Sequence, residues 1–329
     1  MTTEKHIFIV AGESSGDQHA AEYINAHRSI NSSITFSAIG QNEIKKTGID
    51  LVFNSEEISV VGIVEVISKY RIISKALQTA YDHIREKQPD LIILVDYVEF
   101  NLKIARYAKS RGIKVLFYIA PQVWAWREKR ITKILSVIDH LAVIFPFEEK
   151  LFKKYTNKVT YVGHPLADNS KFKIQLNKYN DKTTDIGIFP GSRESEIKNN
   201  LHVMLNCIKL SKNENIVNKN IKIFYSNDTA KRTILDLLPE GWEKILADGK
   251  NSHEVMNCKK AITASGTITL ELALLKIPMV IVYRLSFITF FIMKSMVKVK
   301  FIGLVNLILG NELGSKPIVK EFIQPDYND

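Results

Sequence analysis

With 329 residues, 46% of them hydrophobic and 24% charged, the chain has the composition of an ordinary folded protein and a length that favours two domains. Its formal net charge of +10 favours anionic partners, but no run of five or more basic residues singles out nucleic acid over phosphorylated substrates or a membrane surface. The two cysteines, Cys207 and Cys258, form no Cys-x-x-Cys motif or Cys/His cluster. This argues against a disulfide framework or a zinc site and fits a reducing cytosol.

The sequence predicts neither a leader nor a membrane span. The first apolar segment, Ile7–Ala11, reaches Glu13 too soon to form the core of a signal peptide. The most apolar stretch, 281–309, is interrupted by four basic residues, whereas a helix that crosses a bilayer needs about 20 mostly apolar residues in a row.

The first half of the chain alternates short Ile- and Val-rich runs with longer amphipathic segments. The runs predict strands at Ile7–Ala11, Thr35–Ile39, Leu91–Asp96, Val115–Ile119, Leu141–Phe145 and Val159–Gly163. The amphipathic segments predict helices at Gln18–Arg28, Ile67–Lys87, Leu102–Arg111, Glu128–Val137 and Glu148–Tyr155. Apolar strands that alternate with helices are typical of a parallel sheet covered on both faces, so we predict a first domain over 1–168.

A turn of small and acidic residues is predicted directly after the first strand. It contains Gly12, Glu13, Ser15, Gly16 and Asp17 and lacks the Gly-x-Gly-x-x-Gly motif, which disfavours a nicotinamide enzyme. Its two glycines let a ligand or the other domain approach the backbone closely. A merely structural turn is an equal alternative.

The strand Leu91–Asp96 ends in a carboxylate, which a buried strand accommodates only if the charge has a partner or a role. Asp96 is therefore a candidate general base for a hydroxyl group that attacks as a nucleophile. Glu99 is either a second carboxylate of the same site or, as we favour, a charge in the first turn of a helix.

Other candidates of the first half follow later strands. Trp126 and Arg127 combine an aromatic face with a cation, which suits a sugar ring or a phosphate, with core packing as the alternative. His164 is a candidate that faces the predicted cleft, although a lone histidine is more often structural. The stretches 63–77 and 287–299 mix apolar and basic residues as membrane-surface helices do, but a core face is the usual cause of such periodicity.

After a polar stretch at 166–184, which we interpret as the domain boundary, the alternation restarts. Strands are predicted at Asp185–Phe189, Ile221–Tyr225, Lys260–Thr263 and Met279–Tyr283, and helices at Glu194–Leu210, Ala230–Leu238, Ser252–Asn257 and Thr267–Leu275. We therefore predict a second domain over 185–329. The fold class is α/β, with two doubly wound, Rossmann-like halves that face a cleft and bind ligands beyond the carboxyl ends of their strands.

The turn between the first strand and helix of the second half is suited to phosphate. Its Arg193 can direct two parallel hydrogen bonds to a phosphate, which a lysine cannot do with the same geometry. A helix capped by Ser192, with a solvated Arg193, is the alternative. The sequence has no Asp-x-Asp motif and no histidine cluster with metal spacing, so we expect no metal and no cofactor. If a diphosphate leaves, Arg193 and helix N-termini would have to stabilise its negative charge.

A second turn of this kind contains Ser265, Gly266 and Thr267. Backbone N–H groups at the start of a helix attract an anion, and a glycine lets it come close. Glu271 lies one turn further on and could accept the hydroxyl groups of a ribose. An ordinary turn capped by Thr267 is the alternative.

Several short motifs, taken in this order, resemble those of the lipid-A-disaccharide synthases, which are glycosyltransferases of the GT-B type. The resemblance extends from Ile7 to about Gln324. It rests on AGESSGD at 11–17, VGIVEV at 61–66, VWAWR at 123–127, GSR at 191–193, ASGT at 264–267 with Glu271, and NLILG at 306–310.

The resemblance implies the transfer of 2,3-diacylglucosamine from its UDP donor to the 6-hydroxyl group of 2,3-diacylglucosamine 1-phosphate, with inversion and without a metal. It implies that Asp96 is the base, that the first half holds the acceptor, and that six residues of the second half bind the donor: Arg193, Ser265, Gly266, Thr267, Glu271 and Asn306. Acylated substrates also account for the apolar, basic stretches. They imply a cytoplasmic enzyme associated peripherally with the inner membrane and no nucleic-acid partner.

The sequence departs from the family pattern in several places. The family usually has Asp-x-Pro-Asp-Phe-Asn where this chain has DYVEFN at 96–101, Val305 replaces a proline, Asn311 replaces a common arginine, and 314–318 resembles a short insertion. Family members continue beyond Asp329, so the resemblance implies a truncated second domain. A UDP-sugar-binding or lipid-binding paralogue without turnover is the alternative function, and an enzyme acting on UDP-N-acetylglucosamine is a third. Acyl-chain length and oligomeric state, including a homo-oligomer, stay open.

Overall fold

The computed structural model describes residues 5–30, 33–58, 69–120, 130–168, 183–210, 220–284, 301–309 and 316–323. The chain divides into two compact units, Met1–Pro165 and Leu166–Asp329. Within these described ranges each unit contains one sheet, and the strand pairs are parallel in both sheets.

Unit 1 contains a seven-stranded sheet in the order β3-β2-β1-β4-β5-β6-β7. The strands are β1 (Lys5–Ala11), β2 (Ile34–Gly40), β3 (Leu51–Asn54), β4 (Leu91–Val95), β5 (Lys114–Tyr118), β6 (His140–Val143) and β7 (Val159–Tyr161). The helices are α1 (Ser14–Ile30), α2 (Asn42–Lys46), α3 (Tyr70–Lys87), α4 (Val98–Ser110), α5 (Ile131–Leu135) and α6 (Pro146–Phe152), and a short helix α7 (Pro165–Asp168) crosses the boundary between the two units.

The central strands of unit 1 are buried on both faces because their side chains alternate between two apolar clusters. Phe8 and Val10 of β1 pack in the cluster that includes the buried residues of α3 and α4. Ile7 and Ile9 point to the opposite face, in the cluster with Ala20 and the rest of the buried stripe of α1. This two-sided burial explains why these strands read as unbroken apolar runs in the sequence.

Unit 2 contains a six-stranded sheet in the order β10-β9-β8-β11-β12-β13. The strands are β8 (Thr184–Phe189), β9 (Ile221–Tyr225), β10 (Leu246–Asp248), β11 (Cys258–Thr263), β12 (Met279–Tyr283) and β13 (Glu321–Ile323). The helices are α8 (Glu194–Leu210), α9 (Asp228–Leu237), α10 (Ser252–Met256), α11 (Ile268–Leu274) and α12 (Leu304–Leu309). Ile188 packs with α8 and α9 on one face, whereas Phe189 stacks on Phe224 at 4.6 Å on the other.

All the predicted strands are present, with ends displaced by a few residues. The predictions missed the elements β3, β10, β13, α2, α7 and α12, which are three to six residues long and so too short to show a periodic pattern. One expectation was wrong, because residues 14–17 form the first turn of α1 and not a loop. The start of the predicted helix Glu128–Val137 lies outside the described residues, and its described part forms α5.

Candidate active site

Each sheet reverses its strand order once, and several of the residues singled out by the sequence flank that reversal. In unit 1 the reversal lies between β1 and β4, whose carboxyl ends lead to Gly12 and Asp96. In unit 2 it lies between β8 and β11, which lead to the turns 190–193 and 264–267. Loops diverge at such a point and leave a crevice, which is where doubly wound sheets bind ligands.

Asp96 lies in a sharp turn of unusual backbone geometry between β4 and α4. Asp96 and Tyr97 have φ values of 51° and 42°, and both are in the left-handed region that residues other than glycine rarely adopt. Such a conformation costs on the order of 1–3 kcal/mol per residue, and it persists only where the surroundings fix it. The Tyr97 hydroxyl donates to the Ile58 carbonyl at 2.7 Å, and the buried Asn101 side chain donates to the Asp96 carbonyl at 2.7 Å.

The loops after β1 and β4 touch each other. Gly12 is buried, and a Cβ atom at this position would lie 2.3 Å from the ring of Tyr97, so only glycine fits. Burial of the Tyr97 ring raises the pKa of its hydroxyl, and the nearby charge of the half-buried Glu13 raises it further. Gly12, Glu13 and Asp96 therefore belong to one edge of unit 1.

The side chain of Asp17 has a structural role. Its side chain is 1% exposed, and its carboxylate accepts hydrogen bonds from the backbone N–H groups of Gln41 (2.6 Å) and Glu43 (2.8 Å), which holds the start of α2. Burial raises the pKa of this carboxyl, and the backbone hydrogen bonds lower it by less. Next to Asp17 on α1, Gly16 is buried and Ser15 is exposed.

His164 follows β7 and lies in a cluster of rings. Its ring centroid is 6.0 Å from that of His19 and 5.4 Å from that of Phe145. Burial, together with the neighbouring His19, lowers the pKa of His164 to about 4, although the charge of Glu22 acts in the opposite direction. His164 is therefore neutral near pH 7. His19, which the sequence reasoning missed, is 7% exposed and contacts Glu22 at 3.5 Å.

Other candidates of unit 1 are partly described. Glu99 lies in the first turn of α4, as favoured from the sequence, and forms an ion pair with Arg130. Trp126 and Arg127 lie outside the described residues, as does the stretch 287–299. Of the stretch 63–77, only residues from 69 onward are described; there Tyr70 is 66% exposed.

The turn 190–193 of unit 2 wraps around the carboxylate of Glu196. Gly191 has a φ of 126°, and a Cβ atom here would lie 2.8 Å from the Cβ atom of Glu196, so the position requires glycine. The Glu196 carboxylate accepts hydrogen bonds from the Ser192 N–H group (3.2 Å) and the Arg193 guanidinium (3.3 Å). The Arg193 side chain is 47% exposed. The guanidinium is thus oriented by Glu196 and remains accessible.

Two side-chain amides join this turn to neighbouring loops. Asn200 is fully buried; its side chain donates to the Glu196 carbonyl at 2.9 Å and accepts from the Arg284 N–H group at 2.9 Å. Asn227 caps α9 and also donates to the Ser192 carbonyl at 3.3 Å. The sequence reasoning missed both asparagines. For Asn200 the available signal was an amide among the buried apolar residues Ile197, Leu201 and Met204 of the amphipathic helix α8.

The turn 264–267 continues the ladder between β8 and β11, because the Ala264 N–H group donates to the Phe189 carbonyl at 2.8 Å. The Ser265 hydroxyl donates to the Ile302 carbonyl at 2.9 Å. Thr267 occupies the N-cap position of α11, but its side chain forms no capping hydrogen bond with the described residues. A Cβ atom at Gly266 would have no protein atom of the described residues within 4 Å.

Two other members of the predicted donor set differ in exposure. Glu271 is partly buried on α11, one turn after Thr267, and its N–H group donates to the Thr267 carbonyl at 3.3 Å. Asn306 is fully buried on α12. Its side-chain N–H₂ group donates to the Val319 carbonyl and to the Glu321 carboxylate at 2.7 Å each. Its side-chain oxygen accepts from the N–H groups of Ile318 and Val319 at 2.9 Å each. The Asn306 side chain is therefore engaged within the protein.

Metal and membrane features can be assessed only for the ranges that the structure describes. Within them, no group of three or more His, Cys, Asp and Glu side chains is placed to hold a metal ion. In the same ranges, no helix combines the length and apolar character needed to cross a membrane.

Solved structures share this fold. The glycosyltransferase of kitacinnamycin matches with a TM-score of 0.61 at 12% identity, over 98% of this chain and 86% of its own. A UDP-GlcNAc 2-epimerase from Methanocaldococcus jannaschii, solved with UDP-GlcNAc and UDP, matches with a TM-score of 0.59 at 16% identity, over 84% of this chain and 83% of its own. The two parallel sheets and these neighbours define a GT-B-like α/β protein, as predicted.

Sequence comparison narrows this class to one family. The family model for lipid-A-disaccharide synthetase matches residues 7–328. The lipid-A-disaccharide synthase of Nitrosococcus oceani is 38% identical over 97% of this chain and 83% of its own length. The synthase of Geobacter metallireducens is 36% identical over 98% of this chain and 84% of its own length. The chain therefore belongs to the lipid-A-disaccharide synthetase family, a family of glycosyltransferases, which confirms the resemblance found in the sequence.

His164 is expected to become charged only near pH 4, because its folded-state pKa is about 4 whereas its ordinary value is 6.5. A lowered histidine pKa favours the neutral form in the fold, so its contribution to stability is complete above about pH 6.5 and is lost as the pH falls towards 4. NMR titration of the ring protons measures this midpoint. Urea unfolding at several pH values should show a weaker loss of stability on acidification for His164→Gln than for the wild type. A His164 midpoint near 6.5 would contradict the expectation.

Proposed function

We propose that the chain transfers 2,3-diacylglucosamine from its UDP donor to the 6-hydroxyl group of 2,3-diacylglucosamine 1-phosphate, in lipid A biosynthesis. The observation that supports this best is the position of the family motifs. The motifs at 11–17, 191–193 and 264–267 and the candidate base Asp96 lie at the two points where strand order reverses. The membership of the chain in the synthetase family supports the same reaction.

Unit 2 is proposed to bind UDP at its reversal point. Arg193, held by Glu196 and half exposed, would pair with the diphosphate and meet its charge as it leaves. Gly266, with open space beside its backbone, would let the phosphate approach, next to Ser265 and Thr267. Glu271 would accept the ribose hydroxyl groups. This arrangement requires no metal ion for binding the donor.

Unit 1 is proposed to hold the acceptor. The 6-hydroxyl oxygen would attack the anomeric carbon of the donor sugar while its proton passes to the Asp96 carboxylate. The bond between that carbon and the UDP oxygen breaks with its electron pair, so UDP leaves as the anion. A single displacement from the face opposite to UDP inverts the anomeric configuration. The strained turn at Asp96 and Tyr97 supports this assignment, because such backbone strain clusters at active sites.

The acylated substrates suggest a place for the enzyme in the cell. We propose that it works in the cytoplasm at the surface of the inner membrane, without crossing it. The exposed Tyr70 and Ile72 beside Arg71 and Lys75 on α3 support this location, because apolar and basic side chains on one helix suit an anionic interface.

A transfer assay tests the proposal. Incubation of the chain with both diacylglucosamine substrates should yield the disaccharide 1-phosphate and one UDP per transfer, detected by mass spectrometry. Addition of EDTA should leave the rate unchanged. Binding of UDP without product would instead indicate a binding paralogue, whereas turnover of unacylated UDP-N-acetylglucosamine would indicate a different glycosyltransferase. Either result contradicts the proposal.

Replacement Asp96→Asn is expected to lower kcat by about 10²–10⁴-fold, because the side chain can no longer accept the proton of the attacking hydroxyl group. Asparagine tolerates the left-handed backbone at this position, so folding should be preserved. Steady-state transfer rates and UDP titration measure the two effects, and UDP affinity should not change. Glu99→Gln is the matched control and should stay close to wild type. Equal kcat values for Asp96→Asn and wild type would remove Asp96 as the base.

Replacement Gly266→Ala is expected to weaken UDP binding by roughly tenfold, because the added methyl group occupies the space through which a phosphate would approach the backbone. The stability should change by less than about 0.5 kcal/mol, since the methyl group meets no atom of the described residues. Calorimetric UDP titration and urea unfolding provide both values. Leu274→Ala, at an exposed position of the following helix α11, is the control. Unchanged UDP affinity in Gly266→Ala would place the phosphate elsewhere.

A further inference from the structure

Glu321 forms three hydrogen bonds that neither the sequence motifs nor the proposed reaction assigns to a role. It lies at the start of β13 and is partly buried. Its carboxylate accepts from the N–H group of Ile302 at 2.9 Å, from the N–H group of Gly303 at 3.0 Å, and from the side-chain amide of Asn306 at 2.7 Å. Hydrogen bonds to an ionised acceptor are about twice as strong as neutral ones.

One of these bonds continues directly to the proposed UDP site. The Gly303 N–H group and the Ile302 carbonyl belong to the same planar peptide group. Glu321 binds the N–H side of this group, and the Ser265 hydroxyl donates to its carbonyl side at 2.9 Å. Glu321 therefore fixes the orientation of the 302–303 peptide group. This orientation determines the direction in which the Ile302 carbonyl oxygen points towards Ser265. Hydrogen bonds in such a chain polarise and strengthen one another.

The packing around Gly303 leaves no room for a side chain between this peptide group and Glu321. A Cβ atom at Gly303 would lie 2.4 Å from the Ile281 side chain and 3.0 Å from a carboxylate oxygen of Glu321, so a larger residue would push the peptide group away. Glu321 itself is held in register, because β13 pairs with β12 through Ile281 and Glu321. The sheet thus places the carboxylate at a defined distance from the peptide group.

Asn306 belongs to the same network. Its amide donates to Glu321 and Val319 and accepts from the N–H groups of Ile318 and Val319, which together use its hydrogen-bonding capacity. The family resemblance suggests that Asn306 contacts the donor, but its side chain is 0% exposed. In this structure Asn306 supports Glu321.

We propose that Glu321 is a positioning residue for UDP binding, which acts through the 302–303 peptide group on the hydroxyl of Ser265. This inference rests on the proposed UDP site. Ser265 can donate only one proton, so its bond to Ile302 leaves the oxygen lone pairs of the hydroxyl in a fixed direction. The same bond anchors the turn 264–267, so loosening the peptide group would let the turn move away from the phosphate.

Glu321→Gln tests this role for two reasons. If the amide oxygen stays opposite Gly303, it accepts more weakly than a carboxylate does, and if the N–H₂ group takes that place, the hydrogen bond from the Gly303 N–H group is lost. The variant should bind UDP about tenfold more weakly than the wild type in calorimetric titration. In transfer assays the KM for the UDP donor should rise by about the same factor, with kcat within about twofold. Glu240→Gln, which removes an exposed carboxylate of the same unit, is the matched control and should leave both values unchanged.

A double-mutant cycle with Ser265→Ala separates positioning from a general loss of structure. Once the Ser265 hydroxyl is absent, Glu321→Gln should weaken UDP binding by less than about twofold, since the proposed link no longer exists. An equal loss in both backgrounds would overturn the inference, as would unchanged UDP affinity in the single variant. If Glu321→Gln does not fold, Glu321→Asp takes its place, because its carboxylate is shorter by one methylene group. Absence of UDP binding by the wild type would overturn the proposed function, and this inference with it.

Discussion

The parallel direction of the strands determines which loops lie together in each unit. Since each described strand pair is parallel, the carboxyl ends of the strands share one edge of each sheet. The order reverses between β1 and β4 in unit 1 and between β8 and β11 in unit 2. Residues far apart in the sequence, such as Gly12 and Tyr97, therefore meet at one place. The motifs at 11–17, 191–193 and 264–267 lie at these edges, where doubly wound sheets leave crevices.

Polar side chains then fix the loops that the topology brings together. In unit 2, Asn200 joins the loops after β8 and β12, Asn227 joins those after β8 and β9, and Glu321 joins α12 to β13. Buried amides and carboxylates are costly unless they are hydrogen-bonded, so these networks favour a single loop arrangement. In unit 1 the backbone strain at Asp96 is balanced by Tyr97 and Asn101. The proposed UDP site would therefore bind its anion without first having to order these loops.

The sequence was sufficient for the strands that are buried on both faces, because their apolar runs are unambiguous. It was insufficient for β13, which has three residues and is defined by its pairing with β12. Local motifs located the turns at Arg193 and Ser265, but their hydrogen-bond partners could not be predicted. Arg284 is 84 positions from Asn200, and no local pattern reports such a contact. Asp17 is the opposite case: it belongs to a sequence motif, but its carboxylate has a structural role because it holds the start of α2.

Hydrogen–deuterium exchange with and without UDP shows whether UDP binds at the reversal point of unit 2, because amides that bind a phosphate, or lie beneath it, exchange more slowly. We expect protection at 191–193 and 265–267, with a smaller effect at 302–306, and little change in unit 1. Protection confined to unit 1, or no change at either turn of unit 2 at a saturating UDP concentration, would contradict this binding site.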